Sequence, residues 1–146
     1  MSEFKSAIVS ETGKTRLRAA LERAKGGGAP CVGQWMEFPG YTLARTIGGL
    51  GFDVSPHCTV TFLRSSMTDS SPKWVLVDCE HGNITDNEMY LAVGAIASAG
   101  ASPIVRIPAG EAWMMKRALD AGAHAIMTPM VESKVFASSP CLSSRP

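Results

Sequence analysis

The sequence predicts an α/β fold built from parallel strands with crossover helices. Three observations carry this. Short apolar runs without alternation recur along the chain, as they do in strands buried on both faces. Each is followed by a segment of helical periodicity, and the links between them are short. Turn residues, mostly Gly and Pro, separate strand from helix. The order is strand, helix, strand, helix, strand, helix, strand, which amounts to half of an eight-fold barrel. An open doubly wound sheet is the alternative that the same pattern allows.

The elements follow in order. Thr15 to Lys25 (TRLRAALERAK) has the spacing of a short amphipathic helix, ended by Gly26 to Gly28 and Pro30. Residues 1–29 are thus an N-terminal helix with a Gly-rich link. Cys31 to Met36 (CVGQWM) is a short strand, and Tyr41 to Leu50 (YTLARTIGGL) is helical, with Gly48 and Gly49 weakening its end. Trp74 to Cys79 is the clearest strand. Asp86 to Ser98 is a helix with Asp86 near its N-cap, closed by Gly100. Pro103 to Ile107 is a strand, Glu111 to Ala121 a helix ended by Gly122, and His124 to Met130 begins a fourth strand. Trp113, Met114 and Met115 are expected to pack inside.

Composition narrows the function. The chain has 146 residues, 45% hydrophobic and 18% charged, with a net charge of +1, which suits one globular domain. No basic field points to nucleic acid or an anionic membrane. The start, MSEFKSAIVSETGK, is polar and unlike a secretory signal, and no apolar run approaches a membrane span. Cys31, Cys58, Cys79 and Cys141 lack CxxC spacing, which argues against zinc ribbons and fits a reducing cytosol. The Gly13-Lys14-Thr15 triplet is not a phosphate loop, because Ile8 stands where that motif needs glycine.

The segment WVLVDCEHG (74–82) holds the chemistry. An apolar strand ends abruptly in Asp78, Glu80 and His81, and strand C-termini are where catalytic side chains collect in parallel α/β folds. A lone histidine would be read as structural. Two carboxylates beside it at a strand end favour a functional role. Arg106 lies inside the apolar strand PIVRI and needs an anionic partner. That partner is either a structural carboxylate or a substrate carboxylate or enolate held by the guanidinium fork. Asp120 sits at the end of the following helix, where the helix dipole disfavours it. Trp35 is either packing or a pocket wall.

Four blocks in order, GQWMEFPGYTLARTIGGLGFD, WVLVDCEHG, GASPIVRIP and MKRALDAGAHAIMTPMVES, resemble the HpcH/HpaI aldolase and citrate lyase family. The resemblance covers about residues 30–133. It implies the N-terminal half of a (β/α)8 TIM barrel and the activity of a metal-dependent pyruvate aldolase such as hydroxy-oxo-heptanedioate aldolase. Such an enzyme cleaves a 4-hydroxy-2-oxo acid to pyruvate and an aldehyde. By the same resemblance His81 is the acid/base, Asp120 orients it, and Arg106 binds the oxo acid and stabilises its enolate. Trp35 lies near the substrate, and Asp78 and Glu80 act through hydrogen bonds and metal-bound water. The cofactor implied is magnesium, manganese or cobalt. The partner is a small 2-oxo acid, and a homo-oligomer is implied for the family.

The chain also departs from the family pattern. The two metal-ligating carboxylates belong to strands beyond the fourth, so the direct ligands are expected to be absent from this chain, and no ligand role passes to Glu132. Residues 54–73 read as an insertion into the partial barrel of 30–133, and 134–146 as an aberrant tail. Both are Ser-rich and lack helical periodicity. A translated in-frame intron accounts for 54–73, with 135–146 running into a second; a surface insertion and a natural short form are the alternative. The chain alone is then expected to have little activity. As a non-catalytic fragment it would associate through an open sheet edge with another subunit. An open α/β binding protein is the third possibility.

Overall fold

The computed structural model describes residues 13–50 and 74–131. The expected insertion at 54–73 and tail at 134–146 lie outside the described residues, as do Cys58, Cys141 and Glu132.

The described elements are α1 (Arg16–Lys25), β1 (Gly33–Met36), α2 (Tyr41–Gly49), β2 (Trp74–Asp78), α3 (Asp86–Ser98), β3 (Ser102–Arg106), α4 (Ala112–Asp120) and β4 (Ala125–Met127). Each expected element forms, with ends that shift by a residue or a few. The fourth strand shortens most, to three residues. The N-cap of α3 is Thr85, with Asp86 next to it as the first helical residue. Glu88 reaches back to accept from both the backbone N–H and the hydroxyl of Thr85, each at 2.8 Å, as the third helical residue does in a capping box.

All four strands are parallel, and each pairs with its successor in the order β1-β2-β3-β4. A doubly wound sheet reverses its strand order at a switch point. This sheet does not, which is barrel order.

Alternation along the strands separates two faces. Met36, Val77, Val105 and Ile126 are register partners on the face that packs against the helices, with Val93, Ala95 and Ile96 of α3 and Met115 and Ala118 of α4. Trp113, expected inside, is instead 56% exposed. The other face carries Trp35, then Trp74, Leu76 and Asp78, then Ser102, Ile104 and Arg106. Gly33 makes room for the Trp74 ring, its neighbour in register: a Cβ on it would lie 2.1 Å from that ring as it now stands.

Helix α1 closes the N-terminal end of the sheet. Its Leu17 and Ala20 are buried, and the Leu17 N–H donates to the buried Ser102 Oγ at 3.0 Å. The opposite end, where the strands finish, is left to the charged side chains.

Candidate functional site

The site begins with register. Asp78 ends β2, Arg106 ends β3, and the two are paired residues of adjacent strands on the same face. The charge-bearing groups therefore meet without any loop having to bring them together. Asp78 is fully buried, an expensive place for a carboxylate unless donors surround it. They do. Oδ1 accepts from the backbone N–H groups of Glu80 and His81, both at 3.0 Å, and from Arg106 Nε at 2.9 Å. Oδ2 accepts from Trp35 Nε1 at 2.9 Å and from Arg106 Nη2.

Burial alone would raise the Asp78 pKa. The Arg106 fork, the Trp35 indole and the two backbone donors outweigh it and hold the carboxyl well below its ordinary value. Arg106 is driven the other way, chiefly by its bond to Asp78, and stays a cation.

Two further contacts extend the cluster. Trp35 lays its ring beside the guanidinium, with Arg106 Cζ 4.9 Å from the ring centroid. Glu80 bridges outward: Oε2 is 3.2 Å from Arg106 Nε, and Oε1 is 3.7 Å from His81 Nε2. The His81 side chain is 70% exposed, whereas those of Glu80 and Arg106 keep 20% and 16%.

The loop that presents Glu80 and His81 is set by its backbone. The Asn83 N–H donates to the Glu37 carbonyl at 3.1 Å. A Cβ on Gly82 would lie 2.2 Å from the Asp78 carbonyl oxygen and 2.8 Å from that of Glu37. Only glycine lets the chain settle so closely on the ends of β1 and β2.

Five of the six predicted site residues, Trp35, Asp78, Glu80, His81 and Arg106, come together in this way. Asp120 does not join them. It is the last residue of α4, which runs back from the end of β3 toward the start of β4. There it lines a groove with Asp86, Met89, Tyr90 and Arg117 between α3 and α4. Within one chain the carboxylate beside His81 is Glu80. Arg106 and Trp35 share one internal partner: Arg106 pairs with the Asp78 carboxylate, and the Trp35 indole donates to the same carboxylate. The register that joins Asp78 to Arg106 and the role of the Trp35 N–H carried no local sequence signal.

Among the described residues no three His, Cys, Asp or Glu side chains stand together as metal ligands. Both oxygens of Asp78 are already taken by protein donors. The described residues thus do not fit a direct coordination sphere. Cys79, next to the cluster, faces an apolar pocket of about 80 Å³ with Ile84, Met89, Ile107 and Trp113. Burial, aided by the Asp78 and Asp86 charges, pushes its thiol up to about 11.

Comparison with known proteins places these features in context. The model of the HpcH/HpaI aldolase/citrate lyase family matches residues 61–139. A hydroxypyruvate/pyruvate aldolase of Agrobacterium fabrum is 33% identical over 125 residues, covering 86% of this chain and 38% of that protein. A 2-dehydro-3,6-dideoxy-6-sulfogluconate aldolase of Pseudomonas putida is 32% identical over 102 residues, covering 70% of this chain and 32% of its own length. The crystal structure of an HpcH/HpaI aldolase/citrate lyase family protein from Burkholderia cenocepacia superposes with a TM-score of 0.59 and 28% identity, over 80% of this chain and 39% of that one. The chain therefore spans between about a third and two fifths of the length of these relatives.

Proposed function

The chain belongs to the HpcH/HpaI aldolase/citrate lyase family, and from that membership we propose that the intact protein is a carbon–carbon lyase cleaving a 4-hydroxy-2-oxo acid to pyruvate and an aldehyde. The observation that carries this reading is the geometry of Arg106. Asp78 occupies its Nε and Nη2 edge. A guanidinium has five N–H donors, so its Nη1 and outer Nη2 hydrogens remain for a planar anion such as a 2-oxo acid.

In the cleavage, a base removes the proton of the C4 hydroxyl, the C3–C4 bond breaks, and C4 leaves as the aldehyde carbonyl. The bonding pair passes to the pyruvate enolate, which then takes a proton at C3. Arg106 stabilises the negative oxygen of that enolate. In this reading His81 takes and returns the proton, supported by its exposure at the rim and its position beside Glu80. Glu80 holds both, and Asp78 anchors the fork. An orienting role for Asp120 finds no support within one chain.

A divalent metal, magnesium, manganese or cobalt, supplies Lewis-acid help to such enolates. Its direct ligands are proposed to come from outside the described residues.

Pyruvate titrated onto the purified chain, followed by saturation-transfer NMR at its methyl group, tests the reading. Transfer that weakens at least ~10-fold in Arg106→Lys supports it, since a point ammonium does not copy a planar fork. Transfer indifferent to that substitution, or none in the parent chain, overturns it. Pyruvate release from 4-hydroxy-2-oxo acids by this chain with added metal is proposed to be weak. Turnover near ~10 per second, ordinary for an enzyme, would place the metal ligands within it.

A further inference from the structure

We infer that Trp35 is a positioning residue for Arg106, acting through the Asp78–Arg106 pair and not as a wall of the substrate pocket. This rests on the proposed substrate-binding role of Arg106 and goes one step behind it.

Arg106 has two carboxylates to choose between. Asp78 holds its Nε and Nη2, while Glu80 Oε2 is already 3.2 Å from the same Nε. Rotation toward Glu80 would turn the free edge of the fork away and take Glu80 from His81, which lies 3.7 Å from its other oxygen. Trp35 opposes that rotation in two ways from one side chain. Its Nε1–H donates to Asp78 Oδ2 at 2.9 Å, fixing the oxygen that receives Arg106 Nη2. Its ring also stands 4.9 Å from Arg106 Cζ, where the π face attracts the cation. A residue that served only as a wall would need neither the indole N–H nor that stacking. Trp35 is 39% exposed, so burial of its ring does not explain its place. The strand below it is arranged for the same purpose. Trp35 and Leu76 are register partners, which puts the indole two residues short of the Asp78–Arg106 level, on the same face and within reach of both.

The test separates positioning from lining. The Arg106 Nε–H signal is followed by nitrogen–proton NMR in the parent chain, Trp35→Phe and Trp35→Leu, and pyruvate affinity is measured on the same samples. Phe keeps a ring and loses the N–H; Leu loses both. The Arg106 signal, shifted and protected from solvent exchange in the parent, is expected to move toward free arginine in Phe and further in Leu. Pyruvate affinity falls in the same order, ~5-fold or more for Leu. An Arg106 signal unchanged in both variants overturns the inference, whether or not affinity falls. Because the signal needs no ligand, a chain that fails to bind pyruvate but shows the graded response refutes the proposed substrate and leaves the positioning role standing. Should Leu fail to fold, Phe alone decides the matter.

Discussion

Asp78 and Arg106 are register partners at the C-terminal ends of adjacent parallel strands, the first fully buried and the second with a side chain 16% exposed. Their pairing turns a strand end into a charge site, and most testable consequences of the fold pass through it.

Removing the carboxylate leaves the Arg106 cation with Glu80 as its partner, and three further donors, the Trp35 indole and the backbone N–H groups of Glu80 and His81, without their acceptor. Asp78→Ala is expected to destabilise the fold by about 3 kcal/mol, the range for breaking one side of a buried pair. Urea unfolding of parent and variant measures it.

The same pair gives an acid limb to stability. The Asp78 pKa is lowered on folding from its ordinary 3.8. A carboxyl of this kind adds stability that is present above the unfolded value and lost as the pH falls below it toward the folded one. Stability should therefore decline from about pH 4 downward. In Asp78→Asn that limb should flatten, as read by chemical unfolding at a series of pH values.

Gly82 should tolerate no side chain. Its Cβ would meet backbone oxygens of Asp78 and Glu37, which have no rotamer to adopt. Gly82→Ala is expected to cost about 2 kcal/mol or more, as overpacking does. Gly33→Ala meets the Trp74 ring, which can turn aside, and should cost less. Thermal melts of the two variants give the order.

Cys79 should be a poor nucleophile. Its thiol is raised from 9.0 to about 11, mainly by burial. At pH 8 the thiolate fraction falls by ~100-fold relative to an unperturbed thiol, because only the thiolate reacts. Site-resolved mass spectrometry after iodoacetamide should find Cys79 unmodified at pH 8 and labelled as the pH approaches 11.

Much of this was legible in the chain itself. The runs WVLVD and PIVRI read as buried parallel strands because they are apolar without alternation, and Asp78, Glu80, His81 and Arg106 stand out because charge in or at the end of an apolar strand demands a reason. The pairing of Asp78 with Arg106 was not legible, since it depends on strand register, which no local pattern specifies. Neither was the Trp35 hydrogen bond, which crosses 43 residues. Asp120 stands apart from the cluster within one chain, and that was not legible either. Its resemblance to a family motif is local, but nine residues of α4 carry it back from the strand ends. Trp113 looked like core by its apolarity, yet it lies on the outward side of the same helix.

The close seat of Gly82 on the carbonyls of Asp78 and Glu37 means that the rim is shaped by main chain before any reactive group is added. Through their main-chain N–H groups Glu80 and His81 serve Asp78 whatever side chains they carry.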